Sequence, residues 1–227
     1  MEKKEIGILG FGVMGKQLAS LFFLLGYNVT VWTRNEKDFI PTLNRAIKML
    51  TRQLGSDSEL KEGAVSFTTN LNQMEMPIIV ESLIENLDVK KQIYKNFKDK
   101  NLSYFTNSSS LSPRDIGEEV EGFHFFNPIH LKLVEYTSSK VPSASFSTLL
   151  ENLKGRGFDT ICVEYNRGYI GNFLLFKEIS HFFELIERYH YSVDSLQIVY
   201  KRLFNQQNII GIIDIVGVDT TLKIFEN

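Results

Sequence analysis

The sequence holds a single cysteine, Cys162, among its 227 residues. That excludes an intramolecular disulfide framework and fits a reducing compartment. Cys162 lies in an apolar run, so it reads as buried and inert. Long hydrophobic runs are also missing. The most apolar stretch, Leu18 to Leu25, is about eight residues long, against the ~20 that a membrane-spanning helix needs. Charge of one sign is not in excess: 25 Lys and Arg stand against 27 Asp and Glu, a formal net charge of −2, which advertises no nucleic-acid surface. The opening Met1-Glu2-Lys3-Lys4-Glu5 runs directly into a strand pattern and carries no signal-peptide core. Repeats and low-complexity segments are absent. The expectation is a cytoplasmic protein that binds a small molecule, with no nucleic-acid or membrane partner and no metal.

Apolar runs of strand length alternate with segments of helical period, the pattern of an α/β fold with a mainly parallel sheet. Strands are predicted near 5–9, 29–33, 64–69, 77–83, 103–107, 122–127, 133–138 and 159–165. Helices are predicted near 13–25, 40–54, 88–99, 113–119 and 144–154, the fourth with Ser112 as cap and Pro113 in its first turn. Beyond Gly168 the character changes to one long amphipathic stretch over 170–190, followed by a second helix capped by Ser192 or Asp194. The expected division is a nucleotide-binding domain over 1–166 and a small all-helical domain over 167–227.

Ile6-Gly7-Ile8-Leu9 reads as a first strand, and Gly10-Phe11-Gly12-Val13-Met14-Gly15 then matches G-x-G-x-x-G ahead of an apolar helix. Gly10 allows the tight turn, Gly12 lets a pyrophosphate approach the backbone, and Gly15 allows close helix–strand packing. Val13 and Met14 lie where the helix N-terminus offers amide donors to phosphate. In this strand–turn–helix context the motif predicts a dinucleotide and a Rossmann-type doubly wound sheet. The second strand, Val29-Thr30-Val31-Trp32, should end on an acid that holds the adenosine ribose. Thr33 stands there instead, followed by Arg34 and Asn35. Thr33 carries no charge to repel a 2′-phosphate, and Arg34 has the charge to pair with one. The pair favours NADP over NAD as cofactor. The alternatives are an Arg34 that stacks on adenine or is merely solvated.

These segments together resemble the 3-hydroxyacyl-CoA dehydrogenase family over nearly the whole chain. The resemblance rests on the glycine loop, Val80-Glu81-Ser82-Leu83-Ile84-Glu85-Asn86-Leu87-Asp88-Val89-Lys90, the turn Asn107 to Leu111, His124 to Pro128, Leu133-Val134-Glu135, Gly168 to Asn172 and Asp214 to Asp219. It implies a hydride exchange between NAD(P) and a 3-hydroxyacyl or 3-ketoacyl thioester, with His124 as general acid/base and Glu135 orienting it. It also implies that Ser109 and Asn172 hydrogen-bond the reacting oxygen, and that Glu85, Lys90, Asn107, Ser109 and Asn127 line the cofactor. A histidine among Phe123, Phe125 and Phe126 has a plain alternative, a satisfied core residue. His130, His181 and His190 have no matched partner and read as structural.

The family's helical arm corresponds here to Asn44 to Leu54, where Arg45, Lys48 and Arg52 share one face and suit the phosphates of CoA or of a phosphopantetheine arm. An ordinary solvated face accounts for them equally well, and both acyl-CoA and an acyl-carrier thioester stay open as substrate. Against the family pattern, the ribose-binding acid is missing and the loop from His124 to Glu135 is one residue short. Arg167-Gly168-Tyr169 replaces a Pro-Gly-Phe turn, and Phe173 stands for an arginine. Asn205 to Gly211 replaces a Gly/Pro-rich substrate loop, and the chain stops soon after Asp219. The apolar faces of 170–190 still need a partner, so self-association as a homodimer is expected. Two rivals stand beside this reading. One is a small β-hydroxyacid dehydrogenase that uses a lysine base. The other is a family member that binds nucleotide with little or no turnover.

Overall fold

The computed structural model describes residues 4–34, 37–55, 63–204 and 209–216, and its strands fall on the apolar runs. They are β1 (Glu5–Leu9), β2 (Asn28–Trp32), β3 (Ala64–Thr68), β4 (Ile78–Glu81), β5 (Ser103–Thr106), β6 (Glu121–Phe125), β7 (Leu133–Tyr136) and β8 (Asp159–Cys162). One 8-stranded sheet contains them in the order β3-β2-β1-β4-β5-β6-β7-β8. Neighbours run parallel except β6 and β7. The winding reverses between β1 and β4. In open α/β sheets that switch point opens a crevice at the carboxyl ends of the strands, where ligands bind.

Both sheet faces are covered, and the period of two in each strand decides which residue meets which layer. Ile6, Ile8, Ile78, Val80 and Phe105 face one core with α1 (Val13–Leu24), α2 (Phe39–Leu54) and α5 (Ala144–Lys154). Leu9, Ile79 and Tyr104 face the opposite core, where Tyr94 of α3 (Leu87–Tyr94) and Ile116 of α4 (Pro113–Ile116) pack with Phe97. Each fully buried side chain of this size contributes roughly 1.5–3 kcal/mol from desolvation alone. The same alternation explains the aromatic run around His124. Phe123 and Phe125 enter the first core and meet edge-on at 4.7 Å, with Phe105 and Phe146 around them. His124 therefore points to the other face.

The chain divides into two compact units, residues 1–167 and 168–227. The second consists of α6 (Tyr169–Tyr189), α7 (Val193–Phe204) and α8 (Ile209–Val216), whose core holds Phe176, Ile179, Phe182, Leu196, Tyr200, Ile209 and Ile213. Ser192 caps α7 by accepting from the Ser195 amide at 3.1 Å. Among the described residues no helix is long and apolar enough to cross a membrane.

Four expectations need correction. Cys162 is exposed, because β8 is the edge strand and its apolar run is covered only in part. Ser112 makes no side-chain cap bond; α4 is a single turn begun by Pro113. The helix expected over 88–99 ends at Tyr94, where the Asn96 amide turns back onto the carbonyls of Gln92 and Ile93. Ile209 to Gly211, read as part of a loop, instead begin α8, whose first residues are mostly apolar and feed the second core. Asn205 to Asn208 and Gly217 to Asp219 lie outside the described residues, as does Asn35.

Candidate active site

The glycine loop fits a pyrophosphate on its own geometry. Gly10 has φ +103, and a Cβ there would stand 2.6 Å from the Ser82 carbonyl oxygen. Its amide donates to the Trp32 carbonyl at 2.9 Å, which ties the loop to the end of β2. A Cβ on Gly15 would come within 2.2 Å of the Gly10 carbonyl oxygen, so only glycine lets α1 start this close to β1. Gly12 is the contrasting case: a Cβ there meets nothing within 4 Å, and the residue is exposed. The space beside it is open to a ligand. No side chain caps α1, and no acid stands in its first turn. Its first amides, at Val13, Met14 and Gly15, have no partner in their own helix and suit an anion.

Gly12→Ala should leave the thermal midpoint nearly unchanged, within the ±0.5 kcal/mol or so of an unstrained surface substitution. It should weaken binding of the dinucleotide about tenfold or more, because the methyl group would fill the open space through which a pyrophosphate approaches the backbone. Thermal melts and a fluorescence titration with reduced nicotinamide cofactor check the two halves.

The strand ends beyond the loop are held by a buried ion pair, shared with a second, more exposed carboxylate. Glu81, the last residue of β4, is 0% exposed, and Lys90 of α3 is 1% exposed. Lys90 Nζ lies 2.7 Å from Glu81 Oε1 and 3.3 Å from Glu85 Oε2. Glu81 also accepts from the Leu83 amide at 2.6 Å and from Thr106 Oγ1 at 2.8 Å. Glu85 Oε1 accepts from the Ser108 hydroxyl, from the Ser109 amide at 3.2 Å, and from the amide and hydroxyl of Ser110 at 2.9 and 2.8 Å. Burial pushes the Glu85 carboxyl up, but the Lys90 ammonium and the hydrogen bonds from Ser108 and Ser110 outweigh it, and the group titrates below the ordinary glutamate range. Glu85 thus shapes the turn that presents Ser109. Lys90 meets this turn through Glu85, its own ammonium being directed to the two carboxylates.

At the neighbouring strand end, the antiparallel register sets His124 directly opposite Glu135. Their side chains meet on one face, Nδ1 to Oε2 at 3.1 Å, with His124 4% and Glu135 3% exposed. The Phe126 ring packs on the imidazole at 4.6 Å. The short connection contains a cis Asn127–Pro128 bond, a 3₁₀ turn over Ile129–Leu131 and Lys132 at φ 56. Gln17 of α1 staples it, accepting from the Ile129 amide at 3.0 Å and donating to Asn127 Oδ1 at 3.1 Å. Asn107 Oδ1 accepts from the Phe125 amide at 2.9 Å and locks β5 to β6.

The structure therefore gathers Gly10 to Gly15, Glu85, Asn107, Ser109, His124 and Glu135 at the carboxyl ends of β1, β4, β5 and β6 and the adjoining end of β7. Thr33 and Arg34 stand just past the end of β2. Arg45, Lys48 and Arg52 are exposed along α2. Asn172 lies in the first turn of α6, within the second unit. Sequence reasoning missed the supporting roles of Glu81, Thr106 and Gln17. A carboxylate closing the apolar run Ile78-Ile79-Val80 was the available signal for Glu81. Among the described residues no group of three or more His, Cys, Asp or Glu could hold a metal.

Residues 5–165 match the family model described as 3-hydroxyacyl-CoA dehydrogenase, NAD binding domain. The chain is 28% identical over 194 residues to a 3-hydroxybutyryl-CoA dehydrogenase of Clostridioides difficile, covering 78% of this chain and 69% of that one. It is 26% identical over 243 residues to the human mitochondrial hydroxyacyl-coenzyme A dehydrogenase, covering 96% and 77%. In fold it resembles the crystal structure of (S)-3-hydroxybutyryl-CoA dehydrogenase PaaH1 from Ralstonia eutropha, with a TM-score of 0.81 at 22% identity over 99% of this chain and 86% of that one. A model that spans the whole α/β unit, over a glycine loop that fits the cofactor, settles the relationship: the chain belongs to the 3-hydroxyacyl-CoA dehydrogenase family.

Proposed function

We propose that this protein interconverts 3-hydroxyacyl-CoA and 3-ketoacyl-CoA, with His124 as the acid/base and Glu135 as its orienting carboxylate. The observation that carries the reading is the buried cross-strand pair itself, on β6 and β7 of the sheet that carries the glycine loop. The glycine loop would hold NAD(P), whose nicotinamide would supply the hydride acceptor for oxidation at the β-carbon and the donor for reduction. With Nδ1 directed to Glu135, proton transfer is assigned to Nε2. As the substrate hydroxyl becomes a ketone, Nε2 takes its proton; in ketoreduction the imidazolium gives that proton back to the oxygen. Glu135 accepts from Nδ1–H, fixes the tautomer and stabilises the imidazolium. Ser109 is assigned to hydrogen-bond the reacting oxygen. Arg45, Lys48 and Arg52 are assigned to the phosphates of CoA, a role that suits three exposed cations on one helix.

Reduction of acetoacetyl-CoA, followed by the loss of reduced-nicotinamide absorbance, tests the reading. Turnover is the expected result. Cofactor binding with no turnover across short, medium and long acyl chains would contradict it.

A further inference from the structure

The end of β2 is where the adenosine ribose of a dinucleotide lies when its pyrophosphate sits on the glycine loop. Here that end is fixed to the loop: the Trp32 carbonyl accepts from Gly10, and the Thr33 amide donates to the Thr68 carbonyl at 3.1 Å. Thr33 is thus held next to the phosphate cradle, and Arg34 follows it directly. The first, Thr33, is 9% exposed and uncharged. The second, Arg34, is exposed. Asp38 belongs to the N-terminus of α2, and Glu36 lies outside the described residues.

We infer that Thr33 and Arg34 form a 2′-phosphate site, so that the cofactor preferred by this chain is the 2′-phosphorylated dinucleotide. An acid at position 33 would meet the ribose hydroxyls of the unphosphorylated form and repel a 2′-phosphate dianion. Threonine removes that repulsion and keeps a hydroxyl. The Arg34 guanidinium is planar and permanently charged, and offers paired N–H donors that match two phosphate oxygens. One charge-assisted contact of this kind corresponds to roughly 10–100-fold in affinity. The inference rests on the dinucleotide reading of the glycine loop, and not on any catalytic step. It also bears on direction, since a pool of reduced phosphorylated cofactor drives ketoreduction.

The test is a titration of the whole chain with NADPH and with NADH by nicotinamide fluorescence, with competition by 2′,5′-ADP and by 5′-AMP. The expected result is binding of NADPH at least ~10-fold tighter than NADH, and displacement by 2′,5′-ADP well below the 5′-AMP concentration needed. Arg34→Ala, an exposed change, should erase most of that ratio. Thr33→Asp should reverse it, and a thermal melt checks that this nearly buried change still folds. Equal affinities, or tighter NADH, would overturn the inference while leaving the dinucleotide site standing. Binding of neither cofactor would overturn both.

Discussion

His124→Ala should lower kcat by ~10²–10⁴, the usual worth of a positioned acid/base group, while the dissociation constant of the nicotinamide cofactor changes little. The separation follows from placement. The pyrophosphate cradle is built by Gly10, Gly12, Gly15 and the start of α1, whereas His124 belongs to β6. His124 is held instead by Glu135 across the β6–β7 ladder and by the Phe126 ring. A fall in cofactor affinity as large as the fall in kcat would mean that the side chain serves the fold. Glu135→Gln refines the test: it keeps volume and hydrogen bonding but removes the charge that stabilises the imidazolium. Its effect should fall on kcat, with a shifted pH–rate profile, and should be smaller than that of His124→Ala. Steady-state kinetics over a pH series, with a separate binding titration, read both variants.

Lys90→Met should cost ~3–5 kcal/mol of folding stability, the range for removing one partner of a buried ion pair. Glu81 is fully buried and Lys90 is its only cation among the described residues. The lone carboxylate would keep the Leu83 amide and the Thr106 hydroxyl but lose its counter-charge. A loss of that size is a large share of the ~5–15 kcal/mol that holds a typical domain together. The double variant Glu81→Gln, Lys90→Met removes both charges and should recover much of the loss. Urea denaturation of the wild type, the single variants and the double variant forms the cycle. A single variant within about 1 kcal/mol of wild type would contradict the assigned role. The consequence also reaches the site, because Lys90 is shared with Glu85, and Glu85 holds the turn at Ser108 to Ser110.

Most of the α/β unit was legible because its signals are local. Alternating apolar runs, a glycine loop and Pro113 at a helix start act over a few residues, and the eight strands fall on the runs that predicted them. The His124–Glu135 relation was legible only by resemblance; the register explains it, since an antiparallel return brings residues 11 apart in sequence face to face. The loop from His124 to Glu135 is one residue short of the family pattern, yet the two side chains meet at 3.1 Å, and the Gln17 amide holds the connection.

What stayed hidden depends on sheet position and on contacts distant in sequence. Nothing in the run around Cys162 reveals that β8 is an edge strand, and so the cysteine reads as buried from composition alone. The Glu81–Thr106 bond joins residues 25 apart on adjacent strands, and only the strand order brings them together. The role of Gln17 is hidden for the same reason: a polar residue near the start of an apolar helix gives no hint that its amide reaches a loop 112 residues away.

The central claim is that one imidazole, steadied by a buried carboxylate, serves the oxygen on the β-carbon of a thioester. A crystal structure of the ternary complex with oxidised cofactor and acetoacetyl-CoA measures it most directly. The account predicts the 3-keto oxygen within ~2.6–3.2 Å of His124 Nε2, with the Glu135 contact retained. A ketone seated elsewhere in the crevice, with the imidazole turned from it or closed off behind protein, would contradict it.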